Sequence, residues 1–273
     1  MTRSTLRSLI AAVSAALVAG CGSDSPSGPA TQQHTLDLAA ILSQMSVGSV
    51  SAVPGASSVI AVPATATVPH VTPSACAYSP ATQGFICPTV TSGTLTFDIS
   101  YFLYDAAGHT QSQADAGTTA AVRTVVDAKG TTSLPESNGT SGTVILSDHT
   151  DMTMSGLLTT THTLNGNGTS HYDMTLTGAT ALHAVIDMTT VTKDLMLPTQ
   201  SDAATPPWPL SGTITTDGKT VATVGTLAAT TTTSHSVITF NGTGTATIVF
   251  TTSVGAAITC TMDLTGKSPP VCS

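Results

Sequence analysis

Across residues 93–104 apolar and polar side chains alternate almost without a break, Leu95, Phe97, Ile99, Tyr101 and Leu103 against Thr94, Thr96, Asp98, Ser100 and the aromatic Phe102. A period of two sends the first set to one side of an extended chain, so this segment is a strand with one buried face. Strand-like runs, separated by Gly or Asn-Gly, then recur to the end of the chain, at 142–148, 151–155, 158–164, 169–177, 182–192, 212–216, 220–227, 234–240, 243–252 and 256–264. Threonine, 54 of the 273 residues, supplies much of their β-branched character. The pattern predicts an all-β domain over 74–273, an antiparallel meander forming a large curved sheet, a sandwich or a barrel-like body. Hairpin turns are expected at Gly166-Asn167, Asp217-Gly218 and Asn241-Gly242, a polar loop at 130–139, and a further loop at Pro206-Pro207-Trp208-Pro209.

Upstream of this domain, one segment has helical rather than strand spacing. Thr35 can cap a helix in which Leu38, Ile41, Leu42 and Met45 share a face, so one short N-terminal helix is expected over 35–45. Pro54, Pro63, Pro69 and Pro73 then mark an extended connector, and 34–73 forms one unit of helix and connector.

The first twenty residues read as a processing segment. Arg3 and Arg7 precede an apolar stretch, 9–18, that is too short to span a bilayer and has the length of a signal-peptide core. It ends on Val18-Ala19-Gly20-Cys21, a branched apolar residue, two small ones and a cysteine. This run resembles the lipobox of bacterial lipoproteins, and the resemblance implies cleavage before Cys21 and lipidation of Cys21. Residues 21–33 then form a tether of Gly, Ser and Pro. Gly22 after the cysteine implies, by the same resemblance, the outer membrane rather than the inner one. The resemblance is specific over 1–30 and carries anchoring and export, with no functional family attached.

An exported chain changes the meaning of its cysteines. Cys76, Cys87, Cys260 and Cys272 are even in number, which favours disulfides over free thiols. Of the three possible connectivities, Cys76 with Cys87 and Cys260 with Cys272 closes the two shortest loops, pinning the entry to the domain and its exit. Zinc coordination is disfavoured, because each pair has ten or eleven intervening residues rather than two to four.

Loss of Arg3 and Arg7 with the leader leaves five of the seven basic residues against fifteen acidic ones, a formal net charge of −10. Such a surface repels phosphate backbones, so nucleic acid is excluded as an expected partner. No His-Glu-x-x-His, Gly-x-Ser-x-Gly or Ser-x-x-Lys occurs, and Glu136 is the only glutamate. The strands are too Thr-rich, and ten aromatics too few, for the lipid-facing band and girdles of a membrane barrel.

Two features carry candidate chemistry. If the chain turns at Gly166-Asn167, His162 faces His171 across a hairpin, with Asp173 two residues further along the same face, and Asp148, His149 or Asp151 nearby. That trio would hold a transition metal, the one cofactor the sequence suggests. Trp208, the only tryptophan, is either a docking or sugar-stacking platform in its proline-rich loop or a plug over one end of the core. The expected role is a non-enzymatic binding or structural module, anchored to the envelope membrane through Cys21 and facing an envelope protein or small ligand. A carrier of an apolar ligand in a curved-sheet cavity and an exported metal-dependent hydrolase are the alternatives.

Overall fold

The computed structural model describes residues 75–137, 140–178, 181–198, 208–253, 255–264 and 270–273. The leader, Cys21, the tether and the helix expected over 35–45 lie outside these residues. Every strand among them belongs to one antiparallel sheet, and no α-helix occurs among them. In chain order the strands are β1 (Ala77–Ser79), β2 (Gly84–Ile86), β3 (Val90–Ser92), β4 (Leu95–Tyr104), β5 (Thr110–Gln111), β6 (Ala121–Ser137) and β7 (Thr140–Ser155). They continue as β8 (Thr161–Thr177), β9 (Leu182–Pro198), β10 (Ser211–Val224), β11 (Thr230–Phe240), β12 (Thr245–Thr252), β13 (Ile258–Asp263) and β14 (Val271–Cys272). The sheet is open. Its order, β1-β2-β4-β6-β7-β8-β9-β10-β11-β12-β13-β14, follows the chain, with β3 and β5 as short additions beside β4.

The meander is as the alternation predicts, but several strands are longer. Residues 142–155 lie in one strand, the expected loop at 130–139 is, over 130–137, the end of β6, and neither Gly166-Asn167 nor Asp217-Gly218 turns the chain. The reason is steric. Gly166 and Gly218 are places where the neighbouring strand comes close, not places of unusual backbone angle. A Cβ on Gly166 would strike the Asp151 carbonyl oxygen and the Met152 side chain, and one on Gly218 would lie 2.6 Å from the Ser234 hydroxyl. Asn241-Gly242 is a turn as expected, with Gly242 at a positive φ of 77°.

One face of the sheet is the core. Leu103, Val122 and Met154, on β4, β6 and β7, are inaccessible to solvent, and each such burial stabilises the fold by about 1.5–3 kcal/mol. The main apolar cluster runs from Leu95 on β4 to Ile248 on β12, and a second gathers Val144, Met174, Ala184, Ile186 and Met188 towards the far ends of β7 to β9. Parity along β7 and β8 puts both clusters on the same side. A band of small polar residues separates them, including Asp148, Thr150, Ser170, Thr190 and Thr216. Within the band the Thr190 and Thr216 hydroxyls lie 3.4 Å apart.

Two devices fix the sheet's register and its ends. An extra residue in β9 makes Leu164 face Leu195 while Gly166 faces Thr192, so Thr192 and Leu195 both point inward although they are three residues apart. Asp194, at φ 50°, forms the kink, and its amide donates to the Asn165 side-chain oxygen at 2.7 Å. Both outer edges are closed by disulfides of the expected connectivity. Cys76–Cys87 brackets the β1–β2 hairpin, and Cys260–Cys272 joins directly opposed residues of β13 and β14. Short, covalently held edge strands present little unpaired backbone to another chain. At the first edge Phe85 stacks on Tyr101 at 4.6 Å, with Tyr78 set edge-on to Phe85.

Candidate functional site

On the face opposite the core, a trough of about 1050 Å³ crosses the strands at right angles from β4 to β12. Its walls are two adjacent rows of outward side chains, and its floor is the backbone between them. One row runs Asp98, Asp127, His149, Thr169, Thr189, Asp217, His235 and Thr251, each residue directly opposite the next across neighbouring strands. The other runs Lys129, Ser147, His171, Asp187, Lys219 and Thr233. At about 4.8 Å per strand, the trough is roughly 33 Å long.

Three histidine–aspartate pairs line it. His149 Nδ1 lies 2.8 Å from Asp127 Oδ1, His171 Nδ1 2.7 Å from Asp187 Oδ1, and His235 Nδ1 2.7 Å from Asp217 Oδ1. All six side chains are about half exposed. A carboxylate accepts, so each Nδ1–H donates, leaving Nε2 turned away from the carboxylate. The β6–β7 and β10–β11 hairpins carry the same constellation. Asp127 faces His149 while Lys129 faces Ser147, and Asp217 faces His235 while Lys219 faces Thr233.

Ser147, His149 and Asp127 bring together the residue types of a nucleophilic triad, but not its wiring. Among the described residues no hydrogen bond joins Ser147 to His149. The backbone amides of the floor are engaged in the ladders to β6 and β8, so none is aimed at a developing oxyanion. The trough can hold a ligand by hydrogen bonds and charge along its length. Acyl-transfer chemistry has no assembled centre there.

The expected metal trio is not brought together. Because β8 is continuous, His162 and His171 lie nine residues apart on one strand and on opposite faces. His162 is opposite Leu197 on the inward side, where burial lowers its pKa from 6.5. His171 is held by Asp187, and the Asp173 carboxylate is held by His183 Nε2 at 2.8 Å. No group of three His, Cys, Asp or Glu side chains able to hold a metal occurs among the described residues. Trp208 precedes β10, partly exposed, with its indole Nε1 shielded and without an acceptor among the described residues.

Of the nearby residues the sequence offers as extra ligands, His149 lines the trough. Asp151 instead forms a forked pair with Arg123, and Asp148 turns inward to accept from the Ser170 hydroxyl. Asp127, Asp187, Asp217, His235 and both lysines were missed by sequence reasoning. The signal was there: Asp127-x-Lys129 and Asp217-x-Lys219 match, but reading Asp217-Gly218 as a turn removes the second from any strand face. No protein-family model, curated protein or solved structure matches the chain.

Proposed function

We propose that this protein is a lipid-anchored module of the bacterial cell envelope, held in the outer membrane through Cys21, that binds an envelope component along the outward trough. The observation that carries the binding role is the trough itself, which crosses eight strands, is lined with Asp, His, Lys, Ser and Thr, and has neither a metal cluster nor a wired nucleophile among the described residues. The two disulfides support an oxidising compartment, as the lipobox at Val18-Ala19-Gly20-Cys21 does export. An apolar carrier is less well supported, because Asp, His, Lys, Ser and Thr side chains stand along the walls of the recess and the apolar clusters are built from buried side chains. For the finer architecture, we read the open sheet as curling over its apolar face into a barrel-like body, since Leu103, Val122 and Met154 are fully buried in a one-sheet fold.

The test is metabolic labelling with radioactive palmitate followed by fractionation, on wild type, Cys21→Ser and a trough variant, Thr169→Trp. Label and membrane association should be lost in Cys21→Ser alone, and retention of the trough's ligand in Thr169→Trp alone. Label in Cys21→Ser would overturn the anchor, and unaltered ligand retention in Thr169→Trp would overturn the trough.

A further inference from the structure

The two matching hairpins in the trough lie four strands apart, β6 to β10, which is about 19 Å. Each presents a carboxylate bonded to an imidazole on one wall, and an ammonium beside a hydroxyl on the other. A reader that repeats suits a ligand that repeats. Resting on the trough as the binding surface, we infer that it is a two-point groove for a linear, hydroxyl-rich polymer, a polysaccharide that carries no acidic groups.

Several observations converge on that class. The polymer lies across the strands, so it meets side chains and not the ladder's backbone groups, which excludes recognition by strand addition. A peptide would have to repeat its own side chains at the hairpin spacing, whereas a homopolymeric glycan does so by construction. The carboxylates, imidazoles, hydroxyls and ammonium groups of the walls are donors and acceptors for hydroxyl groups. No Phe, Tyr or Trp ring lines the trough among the described residues, so there is no large stacking platform and affinity comes from contacts summed over its length.

Charge narrows the class further. Outward carboxylates of Asp98, Asp127, Asp187 and Asp217 stand against the ammonium groups of Lys129 and Lys219, a formal excess of two negative charges with imidazoles neutral. The whole chain is also acidic, at −8. An anionic glycan or a nucleic acid is therefore repelled, a neutral glycan is accepted, and an amine-bearing one is favoured.

The test is calorimetric titration of the full, lipidated protein in detergent micelles with the neutral N-acetylglucosamine hexamer, the amine-bearing glucosamine hexamer, the corresponding dimers and polygalacturonate. Both hexamers are expected to bind, the glucosamine hexamer tighter, each at least about tenfold tighter than its dimer because only the hexamer reaches both hairpins. Asp127→Asn and Asp217→Asn should each weaken the hexamers about tenfold and leave the melting temperature within a degree or so. Failure of wild type to bind either hexamer, equal affinity for dimer and hexamer, or equal binding of polygalacturonate would overturn the inference. If Thr169→Trp abolishes hexamer binding while the double Asn variant keeps it, the trough reading stands and the two-point inference falls. If neither variant has an effect, both fall.

Discussion

Arg123 on β6 grips Asp151 on β7 with two parallel hydrogen bonds, Nε to Oδ1 at 2.7 Å and Nη2 to Oδ2 at 2.6 Å, while its guanidinium lies 5.3 Å from the centre of the Phe102 ring on β4. One side chain thus ties three neighbouring strands on the outward face. The guanidinium holds the Asp151 carboxyl below its ordinary value of 3.8. A depressed native pKa means that the unfolded chain binds the proton more tightly, so this stability is present above about pH 4 and lost as the pH falls through the native value. The pair is partly exposed and solvent-screened, so the coupling expected from a double-mutant cycle of Arg123→Ala and Asp151→Ala by urea unfolding is about 1 kcal/mol at pH 7, and smaller at pH 3.

Asp148 has the opposite sign. It points inward between the two apolar clusters, and burial raises its pKa from 3.8, with the Ser170 hydroxyl bond pulling the other way. Because the native state here holds the proton more tightly, stability is full below pH 3.8 and declines as the pH rises towards the native value. Asp148→Asn keeps an acceptor for Ser170 and removes the buried charge. Calorimetry should give a higher melting temperature than wild type at pH 7 and no difference at pH 3; a variant less stable at pH 7 would contradict this assignment.

Gly212 sits at φ 108° opposite the β9 bulge, where a Cβ would come within 2.5 Å of both the Asp194 carbonyl oxygen and the Leu195 Cα. Both objections are to backbone, which cannot swing aside. Gly212→Ala should cost about 3 kcal/mol, the upper end for enforced backbone strain. Gly225, at φ 58° with open space around its Cβ position, should cost only about 1 kcal/mol on the same change. Equal losses in urea unfolding would show that the bulge does not dictate the glycine.

The alternation in 93–104 is legible because β4 buries one face along its whole length, while the side chains of the other are half-buried or, at Asp98, exposed. The same signal at Gly166 and Gly218 misleads, since glycine before or after Asn or Asp marks a turn by local propensity, and only the approach of the neighbouring strand reveals a different use. Losing those two turns loses the site as well. The His162–His171–Asp173 reading depended on a hairpin at Gly166-Asn167, and the Asp217–His235 pair was hidden by one at Asp217-Gly218. The disulfides were legible for another reason: they depend on short sequence separations, 11 and 12 residues, not on how distant strands are placed.

Those disulfides hold the sheet's two edges, and their removal should act at the edges. Each closes a loop worth about 3 kcal/mol in the unfolded chain. Cys76→Ser with Cys87→Ser, or Cys260→Ser with Cys272→Ser, should each lower stability by about 2–3 kcal/mol. Hydrogen exchange should show the added opening confined to β1 and β2 in the first case and to β13 and β14 in the second. Uniform loss of protection across β6 to β9 would contradict the edge role.

If the outward trough is the binding surface, it is covered when the protein is in its native envelope, and histidine reactivity reads this directly. His149, His171 and His235 line the trough, while His109, 79% exposed, lies outside it beside Asp105 and serves as an internal standard. Intact envelopes and the detergent-purified protein would be treated with diethylpyrocarbonate and each imidazole quantified by peptide mass spectrometry. The three trough histidines are predicted to be protected at least about fivefold in envelopes relative to the purified protein, with His109 modified equally in both. Equal modification of all four in the two preparations would contradict the trough as the binding surface.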